Sequence, residues 1–119
     1  MRPELIRHTD FTAPGAEAAI DDLLERHIDF DAVFTNDEMA AGVYRSLQRH
    51  TIAIPRQVAV VGCDDLPLGK LLYPALTTVK LDYTLLAREA LDCITRKEAG
   101  FQPIHRRLAP ELIVRQSTW

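Results

Sequence analysis

Hydrophobic positions in this chain follow two rhythms. Ala16, Ala19, Ile20, Leu23, Leu24 and then His27 or Ile28 recur at the three-and-four spacing of a helix with one buried face. Glu17, Asp21, Asp22, Glu25 and Arg26 take its wet side, and Pro14-Gly15 opens it with Thr12 or Ala13 at the cap. A short apolar run from Ala32 to Phe34 then stops at Thr35, Asn36 and Asp37. The stripe Met39, Val43, Leu47, with Ala40 and Tyr44 beside it, predicts a second helix to about His50. Gly42 inside that helix costs about 1 kcal/mol relative to Ala, which implies close packing against a neighbouring backbone. Ile54 to Gln57 reads as a turn. Val58 to Val61 is apolar without alternation, as in a strand covered on both faces, and it stops at Gly62-Cys63-Asp64-Asp65.

The flanks extend the same pattern. Glu4 to His8 reads as a first short strand. Leu66 to Pro74 predicts a short helical turn carrying more apolar side chains than a loop should. Thr77 to Leu81 is β-branched and extended. From Asp82 or Tyr83 to Gly100 a helix is predicted, with Leu86, Ala90, Cys93 and Ile94 on one side and Leu85 and Leu91 widening the face. Arg106 to Leu108 and Leu112 to Arg115, broken at Ala109-Pro110-Glu111, predict short strands or an irregular hairpin, Pro110 marking an edge or bulge. Strand, helix, strand makes the fold class α/β, a mostly parallel sheet flanked by helices. Ligands in such sheets sit outside the carboxyl ends of the strands, so Asn36, Asp37, Asp64 and Asp65 are the candidate functional residues.

Length and composition narrow this picture. With 119 residues there is room for one domain, and 47% hydrophobic content is ordinary for a globular chain. A net charge of −3 argues against this piece gripping nucleic acid by itself, because phosphate binding needs a basic face. No apolar run approaches a membrane span, and Met1 to His8 contains no long apolar core of a signal peptide, so a cytoplasmic setting is expected. Cys63 and Cys93 are far apart and read as reduced thiols. Neither the cysteines nor His8, His27, His50 and His105 have metal spacing, and Ser46 and Ser117 lack a neighbour to activate them. No catalytic residue, cofactor or metal is expected. Arg106 and Arg107 with His105 read as a solvated strand edge.

Each candidate has an ordinary reading beside the functional one. Asn36 is an excellent helix N-cap, and both roles can coexist. Thr35 and Glu38 have the spacing of a capping box. Asp37 suits the positive end of the helix dipole, and Asp65 caps the following turn. Asp37, Asp64 and Asp65 could together hold a metal in a phosphoryl-transfer enzyme, but no Gly-rich phosphate loop and no strand-end Lys accompany them.

Four segments, T-N-D-E-M-A-A-G, I-P-R-Q-V-A-V-V-G-C-D-D, P-A-L-T-T-V and P-E-L-I-V-R-Q-S-T, occur in an order and at gaps that resemble the C-terminal part of LacI/GalR-family transcription regulators. That is the half that folds like a periplasmic sugar-binding protein. The resemblance runs from about Asp10 onwards. It implies an effector-binding and dimerisation part of a regulator sensing a small molecule, in most members a sugar or a nucleobase. Asn36 and Asp64 match effector-binding positions, Phe11 falls where an aromatic ring often faces the ligand, and Tyr83 lies nearby. Leu81 falls where a polar contact is common, so one contact would be missing. Cys63 replaces the usual Phe or Tyr. Subunit contacts would involve Ala41, Tyr44 and Arg45 with the loop around Leu71 and Leu72. A lobe of a solute-binding transport receptor is the alternative in a different class.

The resemblance makes residues 1–119 a C-terminal subdomain, with helix 83–99 belonging to a second subdomain not represented here. No counterpart of the family's DNA-reading helix-turn-helix is present in these residues, so DNA would be reached only through a separate N-terminal domain. The face formed by Leu85, Leu86, Ala90, Leu91 and Ile94 would face water, and burying each Leu or Ile is worth roughly 1.5–3 kcal/mol. Helix 83–99 is therefore expected to fold back on its own subdomain or to be exchanged between two chains, giving a homodimer.

Overall fold

Helix α1 (Ala13–Glu25) begins where Thr12 is extended and its side chain accepts a 3.1 Å hydrogen bond from the Gly15 amide, in a computed structural model that describes residues 2–95 and 105–119. Strand β1 (Ala32–Phe34) follows, then α2 (Asp37–Arg49) and β2 (Ala59–Cys63). A short helix α3 (Pro67–Leu71) leads to β3 (Thr77–Lys80), helix α4 (Tyr83–Thr95) and β4 (Glu111–Ile113). The sheet order is β1-β2-β3-β4. The first three strands run parallel, with Phe34 beside Val61 and Cys63 beside Val79, while β4 is antiparallel to β3.

One core lies between α1, α2 and the sheet. Ile20 and Leu23 of α1 meet Val43 and Leu47 of α2 over Val60 of β2 and Leu76. Gly42 permits this approach: a Cβ there would sit 1.8 Å from the Ala13 carbonyl oxygen. Polar groups clip the wet edge of the same pair, Ser46 donating to Asp21 at 2.6 Å and Arg49 reaching both Glu17 and Asp21. The central strand β2 is well covered, as its unbroken apolar run predicts. Edge strand β1 is covered on one face, and Phe34 is 70% exposed.

Three expectations need correction. Glu4 to His8 forms no strand: Pro3–Leu5 is a 3-10 turn, and the residues after it make no ladder bonds to β1 among the described residues. Pro3 has no amide hydrogen to give, and Leu5 is the residue of the turn that packs on the core. Arg106 to Leu108 is likewise no strand; β4 starts after Pro110, and Arg106 reaches back to Glu89 and Asp92 of α4 instead. Helix α4 does not fold back. It buries no side chain, leaves Leu86, Leu91 and Ile94 exposed, and contributes to an elongated shape of 60 × 28 × 23 Å. Its start is tied down by Asp82, which accepts from the Leu85 amide at 2.8 Å, and by Tyr83, so the helix departs from the sheet edge. The predicted end of this helix, 96–100, lies outside the described residues.

Candidate functional site

Asn36 and Asp64 follow the carboxyl ends of adjacent parallel strands. The Thr35 amide donates to the Val61 carbonyl at 3.1 Å, and the Asp64 amide donates to Val79 at 2.8 Å, so the tips of β1, β2 and β3 are stitched side by side. Asn36 is the N-cap of α2: its Oδ1 accepts from the Met39 amide at 2.8 Å. The cap is therefore Asn36 and not the Thr35–Glu38 box, because the helix starts one residue later than that box requires. The Asn36 amide nitrogen makes no hydrogen bond among the described residues.

Asp64 has backbone φ 110° and Asp65 φ 50°, both in the left-handed half that non-glycine residues rarely adopt. Tyr83, the first residue of α4, donates its hydroxyl to Asp64 Oδ1 at 2.6 Å. That bond to a carboxylate holds the Tyr83 phenol above its ordinary range, since ionising it would set two anions against each other. Burial, together with the charge of Asp64, pushes the Cys63 thiol up, so Cys63 remains a neutral thiol. The second oxygen of Asp64 makes no hydrogen bond among the described residues. An unspent amide donor and an unspent carboxylate acceptor thus occupy neighbouring strand tips.

Behind them lies a buried polar node. Asp37 is fully buried; its Oδ1 accepts from Thr78 Oγ1 at 2.6 Å and its Oδ2 from the Leu66 amide at 2.7 Å. Gly62 makes room for it, since a Cβ there would lie 2.0 Å from Asp37 Oδ1. Asp65 pairs with Arg115, whose other guanidinium nitrogen donates to the Leu76 carbonyl at 2.7 Å. The hydrogen bond from Arg115 holds the Asp65 carboxyl below its ordinary range. With Asp37 buried in neutral partners and Asp65 paired, the three aspartates do not form a metal cluster, and no cluster of three ligating side chains occurs among the described residues.

The remaining candidates divide. Leu81, 37% exposed, follows β3 at the same end of the sheet as Asn36 and Asp64 and supplies no polar atom from its side chain. Phe11 is 75% exposed on the loop before α1, with φ 61°. Thr9 Oγ1 lies 3.9 Å from Met39 Sδ, which puts that loop beside the first turn of α2. A cavity of about 150 Å³ separates the Leu5–Thr9 segment from β1 and Met39. It is smaller than the roughly 300 Å³ at which small-molecule pockets begin. Among the subunit-contact candidates, Arg45 and Leu71 are exposed and Ala41 partly so, while Leu72 packs on the core. Tyr44 is corrected from surface to core: it is 2% exposed, its hydroxyl donates to the Pro74 carbonyl at 2.9 Å, and burial pushes its phenol up to about 12. Its place beside the Met39–Val43–Leu47 stripe was the signal for this. Thr78, Gly62 and Arg115 were not singled out by the sequence. Their signal was that they lie within the same motifs as the strand tips.

Comparison with known proteins matches the chain, over residues 2–118, to the family described as periplasmic binding protein-like domain. The HTH-type transcriptional regulator MalR of Streptomyces coelicolor is 35% identical over 121 residues, covering 99% of this chain and 35% of that protein. The structure of a putative LacI-family regulator from Sanguibacter keddieii superposes with a TM-score of 0.85 at 31% identity, over 98% of this chain and 45% of that one. A LacI-family regulator from Arthrobacter in complex with lactose gives 0.79 at 34% identity, over 92% and 43%. The chain spans between 26% and 35% of the length of curated regulators that it matches. Among the described residues no helix is long and apolar enough to cross a membrane.

Proposed function

From a chain that belongs to the periplasmic binding protein-like domain family and matches LacI-type regulators along its length, we propose the C-terminal subdomain of an effector-binding regulator. Asn36 and Asp64 bind a polyhydroxylated small molecule, a sugar, between this subdomain and a second one. A sugar hydroxyl is both donor and acceptor. The free amide nitrogen of Asn36 and the free oxygen of Asp64 complement it on adjacent strand tips, and that juxtaposition carries the reading. An ionised carboxylate makes hydrogen bonds about twice as strong as neutral ones. Tyr83 shares the Asp64 carboxylate, Phe11 offers an apolar ring at the loop beside α2, and Leu81 gives a non-polar contact where a hydrogen bond is often made.

The mechanism is differential affinity. A ligand touching both subdomains favours their closed arrangement, and the closure alters how a separate N-terminal domain meets DNA. The protein acts in the cytoplasm and catalyses no reaction. Ala41, Arg45 and Leu71 belong to a subunit contact. In the 119-residue chain by itself, the exposed apolar face of α4 is covered by a second copy through exchange of that helix.

Asp64→Ala in the longer regulator tests the site. Induction is abolished while the thermal unfolding profile is retained; an unchanged induction curve removes Asp64 from the site. Calorimetric titration of the isolated chain with lactose and other sugars yields weak or undetectable heat, because half of the contacts are missing. Micromolar affinity there contradicts a two-subdomain cleft.

A further inference from the structure

We propose that Arg115 and Asp65 are positioning residues for the Asp64 carboxylate, fixing the tip of β2 in the conformation that presents Asp64 to the ligand. This rests on the reading of the strand tips given above. Neither residue bonds to the carboxylate of Asp64. They act on the turn that carries it.

Two successive non-glycine residues with positive φ, Asp64 and Asp65, persist only where the surroundings over-determine them. Three restraints act on backbone amides: Asp64 to the Val79 carbonyl at 2.8 Å, Asp65 to Thr78 Oγ1 at 3.3 Å, and Leu66 to Asp37 Oδ2 at 2.7 Å. The fourth is the ion pair of Asp65 with Arg115, whose side chains are only 17% and 13% exposed. Arg115 is itself held from both sides, its amide donating to Thr77 Oγ1 at 2.9 Å and its guanidinium to the Leu76 carbonyl. The fork spans a carbonyl and a carboxylate at once, which a lysine ammonium cannot reproduce with fixed geometry. Strand β3 and the segment after β4 thereby transmit their position to the β2 tip. The next side chain along that tip is Asp64.

Tyr83 reports where that carboxylate stands, because its hydroxyl donates to Asp64 Oδ1 at 2.6 Å. The experiment is a pH titration of the chain labelled with ¹³Cζ-tyrosine, followed by NMR in a Cys63→Ser background. Cys63 is the other titratable group facing the Tyr83 phenol, so that background leaves Asp64 as its charged neighbour. Asp64→Asn lowers the Tyr83 midpoint and sets the full scale of the effect. Arg115→Met and Asp65→Asn reproduce more than half of that drop, and neither lowers the midpoint further when combined with Asp64→Asn. Asp65→Asn keeps the side-chain shape and a residue type tolerant of positive φ, so it carries the test if Arg115→Met does not fold. A Tyr83 midpoint unchanged in the folded Asp65→Asn protein overturns the proposal, as does a drop that persists in the Asp64→Asn background. The titration needs no effector, so its outcome is independent of whether the ligand is a sugar.

Discussion

Thr78, on β3, donates its hydroxyl to the buried carboxylate of Asp37, at the start of α2, across 2.6 Å. The same carboxylate receives the Leu66 amide after β2, so one side chain joins α2 to the tips of two strands. Asp37→Ala leaves the buried Thr78 hydroxyl without its acceptor, at about 1–3 kcal/mol, and releases the Leu66 amide from its part-buried bond. A fall of that order in urea-unfolding free energy is expected. Thr78→Val costs less in the Asp37→Ala background than alone, since the two share one bond. Gly62→Ala, which drives a methyl into Asp37 Oδ1, destabilises the parent more than it does the Asp37→Ala protein.

Asn36 separates two roles by chemistry. Asn36→Ala removes the cap of α2 and costs about 1 kcal/mol. Asn36→Ser keeps a capping oxygen for the Met39 amide and deletes the free amide nitrogen. Near-parental thermal stability with loss of effector response in the longer regulator is expected of Asn36→Ser. Retained response assigns Asn36 to capping alone.

Acid sensitivity follows from the paired carboxylates. Asp65 is held below the ordinary range by the hydrogen bond from Arg115. At Asp21 burial opposes ionisation, but bonds from Ser46, Arg49 and His50 outweigh it and lower its range as well. A depressed folded-state value contributes stability above the ordinary carboxylate range, and that contribution is lost as pH falls through the folded-state value. Urea midpoints of the parent chain therefore decline as pH drops below about 4. Asp65→Asn shows a shallower decline; an identical slope in both proteins contradicts the pairing.

The face of α4 predicts association. Leu86, Leu91 and Ile94 are 49%, 61% and 79% exposed, and burying each is worth about 1.5–3 kcal/mol. Light scattering of the isolated chain gives the mass of a dimer. Leu91→Glu with Ile94→Glu gives a monomer. A monomeric parent whose α4 amides resist hydrogen exchange excludes the swapping of that helix between chains.

Much of the fold was legible because local patterns coincide with tertiary demands. Both helices of the core layer follow from three-and-four spacing, since a buried face imposes its period on the chain. The strands were legible as the unbroken apolar runs Ala32–Phe34 and Val58–Val61, the second observed as Ala59–Cys63, and Gly42 as a glycine out of place in a helix. Glu4 to His8 misled because two apolar residues among charged ones fit a 3-10 turn that seats Leu5 on the core as well as a strand, and no ladder partner is met there among the described residues. Tyr44 misled because a resemblance assigns a residue to a surface without saying how deep it sits in this chain.

The order of residues by itself determined an α/β unit whose polar side chains follow the strand ends, since strand polarity and the crossover helix put Asn36 and Asp64 at one edge. It could not rank those side chains. Asp37 and Asp64 are both acidic residues after strands, yet only the packed structure decides that one is enclosed by Thr78, Gly62 and Leu66 while the other keeps an oxygen free. That difference depends on contacts between residues as much as 41 positions apart, such as Asp37 with Thr78. No local period encodes such contacts.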